Sequence, residues 1–168
     1  MISVNDKHIL RQLATHVAEI ASLPVMALRR KLWVRHNRLE AIRPLVLVFP
    51  EGAWRELLPD QVLECQDNGA RQMEWALRSR IYHQEHFCDD TVIEAEWVVP
   101  KRITLSGWGM EPQHHPSSQA TGSWSFDPVI HERADLTRLR YPVVTVDEQG
   151  SGQDLNEAQE LFDGLLDV

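Results

Sequence analysis

A carboxylate, an indole and a guanidinium lie close together at Glu51, Trp54 and Arg55. Glu51 lies within a Pro-Glu-Gly turn that follows the apolar run Leu45–Phe49, and the other two residues come shortly after it. An apolar run that ends in such a turn is typical of a buried strand that leads into a loop. A carboxylate can accept a proton or a ligand hydroxyl, and a guanidinium can hold a carboxylate or phosphate through two parallel hydrogen bonds. Because α/β proteins commonly bind ligands at the carboxyl ends of strands, these three residues are candidate substrate contacts. The alternative is that Glu51 and Arg55 pair with each other or with the cap of the next helix.

His83, His86 and Cys88 form a second candidate group, at the end of a predicted helix. The two histidines are three residues apart and so share one helical face, and the thiol could complete a zinc site with Asp89 or Asp90 as a fourth ligand. The alternative is simpler. Histidines at a helix C-terminus interact favourably with the helix dipole without any metal.

Adjacent histidines at His114 and His115 form a third group, within a loop rich in glycine and proline. A loop histidine can act as a general base or contact a substrate, and the alternative is a solvated loop. Among the tryptophans, Trp54 and Trp108 are placed where they could stack on a ligand. The sequence contains no GxGxxG, Walker, HExxH or GxSxG motif, which argues against the enzymes that use those motifs.

Composition narrows the class of protein further. The chain has 168 residues and a formal net charge of −8, which argues against nucleic acid or an anionic membrane as a partner. Its two cysteines cannot form a disulfide framework, which favours a reducing compartment. The N-terminus lacks the pattern of a signal peptide, and no apolar run approaches the roughly 20 residues of a membrane span. The sequence therefore predicts a cytoplasmic protein.

The first part of the chain, residues 1–40, is predicted to be a helical arm. Helical spacing of apolar residues indicates a helix near 5–22, with Ser3 as a candidate cap, and a second helix over 25–37 after Pro24. In the second helix we expect two leucines to face inward and three arginines to form a solvated face, namely Leu28 and Leu32 against Arg29, Arg30 and Arg35.

Residues 41–106 are predicted to form a strand-helix-strand core. Five apolar residues without alternation at Leu45–Phe49 indicate a strand covered on both faces. A helix over 68–87 is expected to begin after Asp67, and the alternation within Thr91–Val99 indicates a half-exposed strand. Lys101–Ser106 is a further strand candidate.

The rest of the chain divides into a long loop at 107–130 and a C-terminal strand and helix at 131–168. Val143–Val146 is a candidate strand, and Gly150–Gln153 is expected to be a hinge before the last helix, where Ser151 has the spacing of a capping box. The inward positions of that helix are Leu155, Ala158, Leu161, Phe162 and Leu165. A short helical turn is expected at Asp135–Leu139. Together the segments predict one α/β domain over 1–168, with a small mixed sheet and flanking helices; α+β is the alternative.

Seven short stretches occur along the chain in a recognisable order: Trp33–Leu39, Arg43–Pro44, Pro50–Pro59, Asp89–Val92, Ser106–Gly109, Phe126–Ile130 and Asp135–Leu136. In this order they resemble the N-terminal portion of uroporphyrinogen decarboxylase-like proteins. The similarity is to the divergent bacterial branch that is related to the cobalamin-linked methyltransferases, and it runs from about residue 9 to residue 168.

The resemblance implies part of a TIM barrel, in which an early strand leads to a loop whose arginines grip substrate carboxylates. Only Arg55 stands in the corresponding loop, and Glu51 occupies part of it, so porphyrinogen decarboxylation does not carry over directly. Glu51, Trp54 and Arg55 are the only positions that carry over, as candidate substrate contacts. A complete barrel needs about 250 residues, so this chain is expected to be an N-terminal piece or a stand-alone protein built from that piece. The related methyltransferases hold zinc through histidine and cysteine residues late in the barrel. Full-length relatives could therefore carry zinc or a corrinoid, whereas no cofactor is expected in this chain.

The resemblance thus predicts an N-terminal domain of a lyase- or methyltransferase-type protein, which supplies cleft wall and subunit contacts and is inactive alone. Its partners would be a small-molecule substrate or a corrinoid protein. A second hypothesis is a stand-alone homo-oligomeric binding or assembly module, which associates through the apolar faces of Leu45–Phe49 and Leu155–Leu165. A third is a small metal enzyme that uses His83, His86 and Cys88.

Overall fold

The structure is a computed structural model that describes residues 2–119 and 122–168. The chain divides into two compact units, one formed by Met1–Val99 with Asp154–Val168 and the other by Pro100–Gln153. None of the helices in the described ranges combines the length and the apolar composition that a membrane span requires.

Two long helices, α1 (Val4–Ala21) and α4 (Asn68–His86), pack against each other in the first unit. Local capping explains where both begin. Ser3 Oγ accepts a hydrogen bond from the backbone N–H of Asp6 at 3.0 Å, and the side chain of Asp67 accepts from the first turn of α4. The predicted helices near 5–22 and 68–87, with caps at Ser3 and Asp67, are therefore confirmed.

The second helix, α2 (Pro24–Asn37), is also confirmed, but its inward face was predicted only in part, since Leu32 is half-buried and Arg35 exposed as expected. Leu28 is 57% exposed, whereas Arg29 and Arg30 reach towards the segment after α4. Arg29 Nη1 donates to the carbonyl oxygen of Thr91 at 2.9 Å, and Arg30 Nε donates to Glu94 Oε1 at 2.7 Å. This face of α2 lies against hydrogen-bond acceptors, the Thr91 carbonyl and the Glu94 carboxylate, so arginine donors face them and aliphatic side chains do not.

Glu74 of α4 is a fully buried carboxylate, with 0% of its surface exposed. It accepts the backbone N–H groups of Glu64 and Cys65 at 2.8–3.0 Å and the Nε–H of Arg78 at 2.7 Å. Burial raises the pKa of Glu74, but these hydrogen bonds outweigh it and leave that pKa below its usual value. The buried charge thereby fixes the segment before α4 to the helix.

The last helix, α5 (Glu148–Phe162), begins earlier than the sequence predicted. The expected hinge at Gly150–Gln153 lies inside the helix, because Asp147 Oδ1 accepts the N–H of Gly150 at 2.9 Å and caps it one turn sooner. Ala158, Leu161 and Phe162 face the core as expected, whereas Leu155 is exposed.

The apolar core of the first unit is built mainly from helices. Its buried members come from α1, α2, α4 and α5 and from the segments between them, and include Leu10, Val17, Met26, Cys65, Leu77, Ile93, Leu161 and Phe162. The fold therefore combines helices with little sheet, and its strands lie in the second unit among the described residues.

The predicted buried strand at Leu45–Phe49 does not form. The segment is neither strand nor helix, and its apolar side chains are largely exposed, with Val46 at 54% and Phe49 at 73%. A strand needs a neighbouring strand to bond its backbone, and none lies beside this segment in the described chain. In place of one mixed sheet, the described chain has two small antiparallel sheets. Helices combined with small sheets agree with the predicted α/β or α+β class.

The predicted strand at Thr91–Val99 is also wrong, except for one isolated parallel bridge between Glu96 and Asp167. The N–H of Trp97 donates to the carbonyl oxygen of Asp167 at 2.7 Å, and the Asp167 N–H donates to the carbonyl oxygen of Ala95 at 2.8 Å. The alternating pattern reflects a segment that packs one side on the helices, not one that joins a sheet.

In the second unit, β1 (Arg102–Leu105) pairs antiparallel with β4 (Val144–Asp147), which confirms both strand predictions. The segment predicted as a long loop contains a short antiparallel pair, β2 (His114–His115) with β3 (Ser125–Phe126). Its residues 120 and 121 lie outside the described chain. The predicted turn near 135–139 is a 3₁₀ helix at Arg133–Arg138.

The exposure difference between two leucines gives a direct test of the helix packing. We expect Leu77→Ala to lower the free energy of unfolding by about 2–5 kcal/mol, because Leu77 is fully buried and its truncation leaves a cavity. We expect Leu28→Ala, the matched control, to change it by less than about 0.5 kcal/mol. Urea unfolding followed by circular dichroism measures both, and equal losses would contradict the assigned face of α2.

Candidate functional site

Trp54 and Arg55, two of the three predicted contacts, line one cleft of about 430 Å³. They belong to the short helix α3 (Trp54–Leu57), which follows a 3₁₀ turn at Glu51–Ala53. Glu51 is exposed, is not among the residues that line this cleft, and has a positive φ of 48°. The structure thus brings the indole and the guanidinium together and leaves the carboxylate outside. No ion pair joins Glu51 to Arg55 in the described structure.

Trp54 is held in place by a cluster of aromatic rings. Its ring lies edge-on to those of Trp75, Tyr82 and Phe87, at centroid distances of 5.7, 5.8 and 6.3 Å. Such edge-to-face pairs stabilise by about 0.5–1.5 kcal/mol beyond their burial. Trp75 and Tyr82 were not predicted as site residues, although their seven-residue spacing on α4 places both on one helical face.

A second cleft, of about 310 Å³, is also lined by Trp54. Its lining includes Arg80, His83 and Thr91. His83 Nε2 is 2.9 Å from Asp89 Oδ2, and the same oxygen accepts the hydroxyl of Thr91 at 2.8 Å. Thus a histidine predicted as a metal ligand is instead bound to a buried carboxylate at the edge of a cleft.

Asp89 remains a carboxylate in this arrangement. Burial raises its pKa, but hydrogen bonds from the Val48 N–H, from His83 and from Thr91 outweigh burial and lower the pKa below its usual value. His83 Nε2 therefore donates, which fixes the orientation of the imidazole ring. Within the described residues, Nδ1 of His83 makes no hydrogen bond and could accept one from a ligand.

Asp90, the next residue, binds Arg43 through both carboxylate oxygens, at 2.8 and 2.5 Å. Asp90 Oδ2 also accepts the N–H of Val46 at 2.9 Å, and the N–H of Asp90 donates to the Val46 carbonyl at 2.8 Å. The Arg43 hydrogen bonds, followed by the Val46 N–H, lower the pKa of Asp90 to about 2. Asp89 and Asp90, considered as metal ligands from the sequence, therefore anchor the segment that precedes α3.

The structure does not bring His83, His86 and Cys88 together as a metal site. In the described ranges no group of three or more histidine, cysteine, aspartate or glutamate side chains is placed to hold a metal ion. His86 is exposed beside the ring of Tyr82, at a centroid distance of 4.1 Å, and Cys88 is exposed. Both histidines lie on α4 as predicted, but the ring of His83 contacts Asp89 whereas that of His86 contacts Tyr82.

His114 and His115, the third candidate group, lie in strand β2 of the second unit. His115 Nε2 is 3.0 Å from Asp127 Oδ2, and the ring of His114 lies 4.9 Å from that of Trp124. Both histidines are exposed. Trp108, the other tryptophan expected to stack on a ligand, lies 6.5 Å from the ring of Tyr141 and is exposed.

The Asp90 anchor should make stability depend on pH in acid. The pKa of Asp90 is about 2 in the folded state and about 3.9 in an unfolded chain, so the unfolded state binds more protons between those values. The stabilisation is present above about pH 4 and is lost as the pH falls towards 2.

We expect Asp90→Asn to lower the free energy of unfolding by about 1–3 kcal/mol at pH 6, and the difference from wild type to shrink as the pH approaches 2. Asp60→Asn, which changes an exposed carboxylate, is the control and should track wild type. Urea titrations at several pH values measure this. A constant difference between Asp90→Asn and wild type would contradict the anchor.

The two thiols should differ sharply in reactivity. Cys65 is fully buried, and burial, assisted by the neighbouring Glu74 carboxylate, raises its pKa to about 12. Cys88 is exposed. With a thiol-specific disulfide reagent we expect fast reaction at Cys88 alone and reaction at Cys65 only after unfolding. The control, Cys88→Ser, should show no fast phase; a fast phase in that variant would contradict the burial of Cys65.

No protein-family model, curated protein or solved structure significantly matches the chain.

Proposed function

We propose that this chain is a non-catalytic N-terminal domain of a uroporphyrinogen decarboxylase-like or corrinoid-dependent methyltransferase-type protein. In that role it contributes a wall of the substrate cleft and a subunit contact, and it works in the cytoplasm. The order of the motifs in the sequence supports the parentage. The exposed segment Leu45–Phe49 supports the role.

The observation that carries the proposal is the exposure of this apolar segment. Val46 and Phe49 are 54% and 73% exposed, although the run contains no charged residue. A contiguous exposed apolar run is characteristic of surfaces that other protein covers. A domain that covers this segment with the rest of a larger protein, or with a second subunit, removes that apolar surface from water.

The cleft at Trp54 and Arg55 suits the wall of a binding site. Arg55 is exposed beside the indole and has no ion pair in the described structure, so its guanidinium can hold a carboxylate or phosphate. A flat, anionic small molecule fits this pair, with the ring on Trp54 and the acid on Arg55. The cleft is open to solvent, and further protein is needed to exclude water from it.

The arrangement around His83 argues against catalysis by the chain alone. The hydroxyl of Thr91 and the imidazole of His83 both donate to Asp89, so His83 is not placed to take the Thr91 proton. A second candidate function is a stand-alone homo-oligomeric module, favoured by the same exposed segment. Light scattering after size exclusion separates this candidate, because such a module would be an oligomer without any barrel protein.

We expect the isolated chain to catalyse neither methyl transfer to a reduced corrinoid protein nor decarboxylation of a porphyrinogen, because its cleft is open. A full-length uroporphyrinogen decarboxylase is the positive control for the second assay. Turnover above buffer that Arg55→Ala abolishes and Arg38→Ala leaves unchanged would contradict the non-catalytic role. The parentage is tested separately by reading the gene, where barrel-encoding sequence in the same frame is expected.

A further inference from the structure

Arg80 of α4 has a guanidinium that the protein uses only in part. Its Nη1 donates to the backbone carbonyl oxygen of Glu96 at 2.7 Å, and its Cζ lies 5.6 Å from the centre of the Trp97 ring. Within the described residues, Nε and Nη2 of Arg80 bond no acceptor, and no carboxylate forms an ion pair with this side chain. The N–H groups of Nε and Nη2 lie parallel on one edge of the guanidinium, where a carboxylate can accept both.

Two other arginines of the first unit show what this edge binds when an acid is near. Arg30 donates through Nε and Nη2 to the two carboxylate oxygens of Glu94. Arg78 donates through Nε to Glu74 and through Nη2 to Glu64. Arg80 differs from both, because an acid for its Nε and Nη2 edge has to come from outside the described residues.

The surroundings of Arg80 favour such an acid. The side chain is half-buried, and burial lowers the pKa of Arg80. Because arginine does not lose its proton in proteins, this loss of hydration is a cost that a bound anion offsets. Two carboxylates also line the cleft, but Glu94 is paired with Arg30, and Glu96 is exposed to solvent and screened by it.

His83 adds a hydrogen-bond acceptor one helical turn away. Residues 80 and 83 are neighbours on one face of α4, and both side chains line the cleft of about 310 Å³. Because Nε2 of His83 donates to Asp89, Nδ1 of the neutral ring is an acceptor. A ligand that bonds both residues therefore carries an acid for Arg80 and, close to it, an O–H or N–H for His83.

We propose that this cleft binds a small carboxylic acid with a hydroxyl or amino group on the neighbouring carbon. The carboxylate accepts from Nε and Nη2 of Arg80, and the hydroxyl or amino group donates to Nδ1 of His83. Trp54, Val92 and Val98 also line the cleft and suit a short apolar side chain. A volume of about 310 Å³ is at the lower end for ligand sites, which limits the ligand to a small molecule.

This cleft shares only Trp54 with the cleft of Arg55. The inference therefore names a second binding site and does not rest on the proposed function. Its failure would leave the proposed domain role standing, since the turnover assays and the gene sequence test that role independently.

Three acids that differ at one position test the ligand class in the full chain. Lactate carries a hydroxyl next to the acid, alanine carries an amino group, and propionate carries neither. We expect lactate or alanine to bind at least about fivefold more tightly than propionate, because only they donate to His83. NMR titrations at about pH 8 and constant ionic strength measure this through the backbone N–H signals of Thr91 and Glu94. Equal binding of all three acids, or no saturable shift with any, would overturn the inference.

Substitution of Arg80 tests the carboxylate contact. We expect Arg80→Gln to weaken binding of lactate and alanine at least about tenfold, because it removes the charge and the parallel pair of donors. Arg38→Gln, which removes an exposed arginine, is the matched control and should bind as wild type does. Arg80→Lys keeps the charge but not the parallel pair, and it should also weaken binding. Circular dichroism establishes folding, and Arg80→Lys provides the test if Arg80→Gln does not fold.

Substitution of His83 tests the second contact. In His83→Gln the side-chain amide can still donate to Asp89, but it offers no acceptor at the position of Nδ1. We expect lactate and alanine to bind this variant no more tightly than propionate does, whereas propionate binds it as it binds wild type. Unchanged binding of lactate and alanine to both Arg80→Gln and His83→Gln would overturn the inference. Loss of binding in Arg55→Gln in place of Arg80→Gln would assign the acid to the other cleft, with the same consequence.

Discussion

Two adjacent buried carboxylates, Asp89 and Asp90, join three separate parts of the first unit. Asp89 binds His83 of α4, and the backbone carbonyl of Asp90 accepts the indole N–H of Trp33 from α2 at 2.8 Å. Both side chains bind the backbone of Leu45–Phe49. Burying two charges side by side is unfavourable unless each is well supplied with donors. Here histidine, arginine, hydroxyl and backbone donors supply them, and so the position of each neighbouring segment is fixed by the same pair.

This pair also determines what the apolar run 45–49 becomes. In a sheet, both edges of a central strand are bonded by backbone, and both faces are covered by side chains. The carboxylates of Asp89 and Asp90 satisfy one edge, but they extend no sheet and cover no apolar face. The segment therefore has the composition of a strand and donates hydrogen bonds at every second residue, as a strand does, but most of its side chains are exposed. A covering partner would complete it without rearranging the existing anchors.

The features that the sequence predicted correctly are those set by local interactions. Ser3 and Asp67 cap their helices through backbone donors two or three residues away. The buried stripes of α1, which includes Leu10, and of α4, which includes Leu77, each follow the helical period. The buried strand at Leu45–Phe49 failed because a strand depends on a partner distant in sequence. The prediction for α2 failed at Leu28 and Arg29 for a related reason. Arg29 is drawn inward by the distant carbonyl of Thr91, and no local pattern encodes that contact.

The candidate site shows the same division. Trp54 and Arg55 are adjacent in sequence and fall on one short helix, so their shared cleft followed from local order. Glu51 was separated from them by its left-handed backbone, a conformation uncommon for a residue with a side chain. One local feature of the sequence could have indicated the role of Asp89. An aspartate side chain often accepts a hydrogen bond from the backbone N–H two residues later, which is typical of a turn. Asp89 does this with the N–H of Thr91 at 3.0 Å.

The hydrogen bonds of Asp89 determine what His83 and Thr91 can do chemically. A histidine–carboxylate pair serves catalysis when the second ring nitrogen reaches a nucleophile or a substrate proton. Here the nearest hydroxyl, that of Thr91, donates to the same Asp89 oxygen as His83, and Val48 donates its N–H there as well. With three donors, Asp89 Oδ2 holds α4 and the 45–49 segment in place. A substrate that used His83 would therefore have to enter the Trp54–His83 cleft and approach Nδ1, while the anchoring of the 45–49 segment stayed intact.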